Sequence, residues 1–291
     1  MASNGTDTEM ADSEDDETLL YHYTTQKGLL GIIRDRAIFA TDCRFVNDEQ
    51  ELLYGFDAID MWRFKKGEEP QTEFVAPHVH PFPGAKALPV RDIAAASPYI
   101  ACLSKKGDQL SQWRGYGLNE GAVALGFLRA DLEQTLGPAN SPRTVHLDEV
   151  FYKPSKQREL FEDTLGKGNV FNPLSPGAGR TSAAKITAAA IRCKHRGFAE
   201  EKEWRVWVPR GGPEPFSVSK PDCFRVQGKH LVPYINVRLC SEGEKTIPFL
   251  RRVICAPGDP GGIARTAVRS MLDAAGYKNV RVKRSKIPYR G

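Results

Sequence analysis

The apolar positions of this chain fall into short clusters whose period alternates between two and about three and a half residues. Leu20 to Tyr23 alternates and predicts a strand, after which Thr24 or Thr25 can cap a helix whose Leu29, Leu30, Ile32 and Ile33 form an apolar stripe. Ile38 to Ala40 reads as the next strand, and Asn47, Asp48 and Glu51 open a helix carrying Leu52, Leu53 and Phe56. The Pro-rich stretch from Lys66 to Val90 reads as a long loop. Strands follow at Tyr99 to Leu103, Ala122 to Phe127 and Val145 to Tyr152. A helical turn at Ser111 to Tyr116 and a short helix at Asp131 to Leu136 lie between them. Gly166 to Arg180 is a second loop, and Ser182 to Lys194 a helix with Ile186, Ala189, Ala190 and Cys193 inward. Three more strands are predicted near 203–208, 231–239 and 249–255, then a helix over Ile263 to Ala275 and a last strand over Val280 to Lys283. Clustered strands with helices between them, without strict βαβ alternation, point to an α+β fold.

One stretch carries more chemistry than the rest. Glu201, Lys202, Glu203, Trp204 and Arg205 run on into Val206, Trp207 and Val208 with a period of two. That period puts Glu201, Glu203, Arg205 and Trp207 on one face of a strand, and Trp204, Val206 and Val208 on the other. Such a strand holds a carboxylate rigidly beside a guanidinium, as a reacting sugar or ester carbon requires. A surface strand with a charge pair at i and i+2 is the plain alternative.

Composition narrows the classes. With no run of about 18 apolar residues, no membrane span is expected. No basic, then apolar, leader opens the chain, so no secretion signal is expected. The six cysteines include no Cys-x-x-Cys pair, which fits reduced thiols in a cytoplasm better than a structural zinc. Residues 1–17 are polar and acidic from Asp7 to Glu17 and read as a disordered lead, leaving 18–291 as one domain. The remainder is more basic than the net charge of +5 suggests, which permits an anionic ligand or nucleic acid.

Two further constellations carry candidate ligand contacts. In Tyr21-His22-Tyr23-Thr24, His22 shares a strand face with Thr24 and can donate to a ribose hydroxyl or an amide carbonyl, or simply to backbone in a core. Trp113 and Tyr116 lie one helical turn apart and can stack on a flat heterocycle, or pack. His78-x-His80 has no third ligand near it in sequence, so no metal site is expected there. Gly258 to Gly262 lacks the Gly-Lys-Ser/Thr ending of a phosphate loop. The Lys283-Arg284-Ser285-Lys286 run reads as a solvated strand edge able to touch phosphate.

Read in order, these segments resemble a widespread bacterial family of domains of unknown function. The series is Leu20-Tyr21-His22-Tyr23-Thr24, Asn47-Asp48-x-x-Glu51, Cys102-Leu103-Ser104 with Trp113-x-x-Tyr116, Gly126-Phe127, Phe198 with Glu201-x-Glu203-Trp204-Arg205, and Ser285-x-Ile287-Pro288-Tyr289-Arg290. More distantly, the opening strand with the Gly-Leu-Leu-Gly-Ile-Ile helix resembles the start of ADP-ribosyltransferases. That resemblance implies a split, mostly antiparallel β-sheet core with flanking helices, NAD as substrate and no metal. It implies that Glu203 is the catalytic acid with Glu201 completing the Glu-x-Glu spacing. His22, with Tyr23 and Thr24 beside it, would hold the ribose or the nicotinamide amide, and Trp113 or Tyr116 would flank nicotinamide. Arg205 would support the carboxylate. No Ser-Thr-Ser stands in the middle segment, where this chain departs from one branch of those enzymes. The family setting implies a toxin or phage-defence effector acting on an acceptor macromolecule, protein or nucleic acid, with no membrane partner.

Two other functions fit the same residues. One is a non-catalytic sensor or partner-binding module in which Glu203 and Arg205 are structural glue. The other is a metal-dependent nuclease or hydrolase using Asp48, Glu51, Glu201 and Glu203. For the acidic lead the expectation is direct: a chain starting at Thr18 should keep its thermal midpoint within a few degrees, because so polar a segment buries too little apolar area to offset its ordering. A large drop in the melting curve would show that the lead packs on the domain.

Overall fold

The computed structural model describes residues 18–46, 50–65, 97–116, 121–166, 185–210 and 221–288. Among them, ten strands join in one sheet: β1 Leu19–Thr25, β2 Ala37–Asp42, β3 Tyr99–Ser104, β4 Ala122–Leu128, β5 His146–Glu149, β6 Glu203–Val208, β7 Cys223–Gln227, β8 His230–Arg238, β9 Leu250–Cys255 and β10 Arg281–Arg284. The main path runs β10-β9-β4-β1-β3-β2-β8-β7, with β6 and then β5 branching from β3. Only β9 and β10 pair in parallel. The architecture is α+β, an open and mostly antiparallel sheet with flanking helices.

The branch at β3 shapes the molecule. One edge of β3 pairs along its whole length with β6, from Tyr99 opposite Val208 to Ser104 opposite Glu203. The other edge is shared by two strands: β2 pairs at Tyr99 and Ile100, and β1 pairs at Ser104. Between those contacts β1 and β2 diverge, so Cys102 has neither as its ladder partner.

Alternation sorts the faces as the sequence predicts. Leu20, Ala101, Leu103, Val123, Trp204, Val206 and Val208 enter one large core with the helices Gln26–Asp35, Arg129–Ala139 and Ile263–Ala274. Thr25 is the cap of the first of these, its hydroxyl accepting from Gly28 N at 3.1 Å. The other face is covered in two pieces. Ile100 and Trp207 pack with the helices Gln50–Lys65 and Pro154–Leu165 and with residues 186–193. Farther along, Tyr21, Tyr23, Ala124 and Ile254 pack under Trp113 of the helix Leu110–Gly115.

Several expectations need correction. Glu201 is not in the strand: it ends the 3-10 turn Arg196–Glu201, and Lys202 takes a left-handed φ of 47° before β6 starts at Glu203. The expected helix over Ser182 to Lys194 is helical in the described part only to residue 190. Cys193 then bridges Phe151, which a continuing helix would forbid. The strand expected over Val145 to Tyr152 is β5 alone, because pairing with β6 ends at Glu149. Helix Pro154–Leu165 was missed because its buried stripe, Gln157, Leu160 and Phe161, contains a polar residue within a charged run. Strand β7 was missed because most of its residues are exposed, so no buried face advertises it. The acidic lead, Asn47 and Asp48, the loops over 66–90 and 167–180, His78 and His80, Tyr289 and Arg290 lie outside the described residues. No helix among the described residues is long and apolar enough to cross a membrane.

Gly55 sets the distance between the helices that cover the second core. A Cβ added there would lie 2.1 Å from the Ala190 carbonyl oxygen, a backbone atom with no rotamer to yield. Gly55→Ala should therefore destabilise the chain by about 1–3 kcal/mol through forced separation. A urea midpoint equal to wild type would show that the helices can slide apart freely.

Candidate active site

The face of β6 that carries Glu203 and Arg205 is buried, and its charges close on one another. Glu203 is 4% exposed, Arg205 1% and Lys194 5%. Arg205 donates from Nε to Glu203 Oε1 at 2.7 Å and from Nη2 to Oε2 at 3.2 Å, the paired geometry a guanidinium offers a carboxylate. Its Nη1 donates to the Ile191 carbonyl at 2.7 Å. Lys194 Nζ donates to Glu203 Oε2 at 3.0 Å and to Glu201 Oε2 at 2.5 Å. Two carboxylates and two cations thus balance inside the protein. The Glu201 side chain keeps 22% of its surface open.

The electrostatics follow from this packing. Burial alone would raise the Glu203 carboxyl, but Arg205, Lys194 and a hydrogen bond from the Cys102 thiol hold it well below the usual carboxylate range. The backbone N–H of Glu203 donates to Tyr152 Oη at 2.8 Å. Burial raises the phenol of Tyr116, and the nearby Cys102, Glu203 and Glu201 push it the same way, Lys194 opposing.

Tyr116 therefore sits within electrostatic reach of the cluster. It is half-buried, packs on Tyr23 with ring centroids 5.9 Å apart, and borders the small core under Trp113. Trp113 is different: it is fully buried, its ring edge-on to Tyr23 at 4.8 Å, and its indole N–H donates to Asp108 at 2.8 Å. It builds the wall and presents no open face. Tyr23 is also core, its hydroxyl donating to the Lys106 carbonyl at 2.7 Å, whereas Thr24 is half-buried at the strand end.

His22 lies where β1 leaves β3. Its Nδ1 is 3.0 Å from the Cys102 carbonyl oxygen, which neither β1 nor β2 pairs. A carbonyl only accepts, so Nδ1 carries the proton and the neutral ring keeps Nε2 as an acceptor. Burial lowers the His22 pKa, the Cys102 bond opposes this, and the charge of Arg225 lowers it further. By strand alternation His22 points with Leu20 toward the large core side, while Tyr23, Cys102 and Glu203 belong to the other face. Cys102 joins the two: its carbonyl meets His22 and its thiol meets Glu203.

The structure thus brings Tyr116, Glu201, Glu203 and Arg205 together and turns Trp113 and Tyr23 into support, but puts His22, expected beside Glu203 at the ribose, on the opposite face of the sheet, linked to the cluster through Cys102. Lys194, Cys102 and Tyr152 were not anticipated. Nothing local marks Lys194, because its partners come from the turn and strand that follow a chain reversal. Asp48 lies outside the described residues, as does the side chain of Glu51. No group of three or more His, Cys, Asp and Glu among the described residues is arranged to hold a metal ion.

Residues 112–206 match a family described as a protein of unknown function (DUF2971). The match spans Tyr116, Lys194, Glu201, Glu203 and Arg205, and stops short of His22. No curated protein matches the chain.

Two measurements probe the ion cluster. Because the folded Glu203 pKa lies below its unfolded value of about 4.3, its stabilisation is complete above about pH 5 and drains as acid approaches the folded value. Wild type should lose unfolding free energy with falling pH more steeply below about pH 4.5 than Glu203→Gln does; parallel curves would mean the carboxylate is not held ionised. Arg205→Lys keeps the charge but not the fork together with the Ile191 bond, and should cost about 1.5–3 kcal/mol by denaturant titration.

Proposed function

We propose that this chain is an NAD-dependent ADP-ribosyltransferase whose reacting centre is the margin between Tyr116 and the Glu201–Lys194–Glu203 cluster. NAD is the substrate, and the acceptor is a macromolecule, protein or nucleic acid. A toxin or phage-defence effector is the role such chemistry suits, with the diverging β1 and β2 forming the split of a transferase-like sheet. The observation that carries the reading is the meeting of Tyr116, Cys102, Lys194 and two glutamates from distant segments.

The transfer breaks the bond between nicotinamide and the ribose anomeric carbon. Nicotinamide leaves with the electron pair, and a lone pair of the acceptor forms the new bond as the acceptor loses its proton. Positive charge develops on the ribose, and a preorganised carboxylate stabilises it. Glu201 has the open side and is the group placed to touch the ribose. Glu203, spent on Arg205 and Lys194, holds Lys194 and through it fixes Glu201. His22, on the opposite face of the sheet, supports the site through its bond to the Cys102 carbonyl. Tyr116 offers the half-open ring for nicotinamide.

One observation favours a second reading. Glu203 is so deeply buried and so fully bonded that it also fits a non-catalytic binding module held together by the ion cluster. The two part on nicotinamide release from NAD in EDTA, with cell extract supplying acceptors. Wild type should release nicotinamide. Glu201→Gln should fall about a hundredfold in turnover while keeping its melting temperature. Glu203→Gln should lose both activity and stability. No release by wild type with any acceptor, or equal rates for wild type and Glu201→Gln, selects the binding module.

A further inference from the structure

Another cation, far from the ion cluster in sequence, is half-buried without an acid beside it among the described residues. Arg225 of β7 lies over two rings that stack on each other, Phe39 of β2 and Tyr234 of β8, with their centroids 4.1 Å apart. Its guanidinium carbon is 5.8 Å from one centroid and 5.9 Å from the other. Its Nη2 donates to Thr41 Oγ1 at 2.9 Å and to Gln227 Oε1 at 3.2 Å, both neutral acceptors. Among the described residues no carboxylate is within ion-pair distance, and Nε and Nη1 have no protein acceptor. Desolvation lowers the Arg225 pKa, which records the cost of placing the charge there. Other buried arginines are held differently: Arg205 has Glu203, Arg210 has Asp42, and Arg252 donates to the Tyr21 hydroxyl at 2.9 Å.

The position is also particular. Thr41 pairs with Ile100, two residues from Cys102 on β3, and the charge of Arg225 is felt at His22. Along the same face, β3 leads from Ile100 to Ser104, which pairs with Glu203. Four residues of strand span about 13 Å. The guanidinium and the Tyr116–Glu201 margin therefore lie at the two ends of one face of β3, at a spacing that an extended dinucleotide covers.

We propose that Arg225, oriented by Thr41 and Gln227 on the Phe39–Tyr234 stack, is the anion subsite of this chain and takes the diphosphate of a dinucleotide. A planar guanidinium with free donors suits a phosphate better than a lysine would, because it binds through fixed, directed N–H groups. The assignment of the ligand as NAD rests on the transferase reading; the diphosphate chemistry does not.

Calorimetric titration of the full chain with inorganic pyrophosphate, with NAD and with a single-stranded oligonucleotide tests this. Wild type, Arg225→Gln and Arg225→Lys are compared, each checked by its melting curve. Pyrophosphate and NAD should bind wild type and weaken at least about tenfold in Arg225→Gln, the loss expected for a charge-assisted hydrogen bond. Arg225→Lys should recover part of the affinity; where Arg225→Gln does not fold, a tenfold weakening in Arg225→Lys carries the comparison. Failure of wild type to bind pyrophosphate, affinity unchanged in both variants, or Arg225-dependent binding of the oligonucleotide alone overturns the proposal. Binding is read without turnover. Arg225-dependent NAD binding with no nicotinamide release would thus sink the transferase reading and leave the subsite standing.

Discussion

The pairing of β3 is the constraint on which the rest of the structure depends. A strand has two edges, and here one is filled end to end by β6 while the other is divided between β1 and β2. Two strands cannot share an edge without diverging, and where they separate the Cys102 carbonyl meets the His22 ring. An unpaired backbone polar group inside a protein is costly. His22 answers it with a side-chain hydrogen bond.

The second face shows why the functional groups gather where they do. The large core is continuous and carries three helices. The opposite face is roofed by two separate clusters, one resting on Trp207 and Ile100 and one on Tyr21 and Tyr23. Between them lie Cys102, the buried Glu203 and the half-buried Tyr116, within electrostatic reach of one another. Burying an ion pair is weak evidence for stability alone, because desolvation consumes much of the Coulomb gain. A neutral four-charge cluster with directed bonds from Arg205 and Lys194 is better understood as a means of holding carboxylates ionised and immobile. Preorganised charge of that kind is what a reaction developing positive charge uses.

The two arginines illustrate a division of labour. Arg205 is satisfied by Glu203 and the Ile191 carbonyl, so it is complete without a ligand. Arg225 is oriented by neutral groups and two rings, with no counter-charge among the described residues. One holds the protein together; the other is the group we propose holds a ligand.

Much of this was legible in the chain itself. Period-two alternation places Glu203 and Arg205 opposite Trp204 and Val206, and short-range sterics and burial enforce that pattern whatever the partner strand. The cap at Thr25, the apolar stripe of the first helix and the all-buried run of β4 are local in the same sense. Registers and reversals were not legible. Glu201 lies beside Lys194 because the chain leaves a helix after residue 190, bridges Phe151 through Cys193 and turns before β6, and each step is a long-range contact. Arg225 belongs to a strand with mostly exposed residues, which carries no hydrophobic signature, and its neighbours Phe39, Thr41 and Tyr234 come from strands distant in sequence. Local periodicity decides which way a side chain points. Only the pairing of distant strands, whose energy resides in contacts between residues far apart along the chain, decides what it meets.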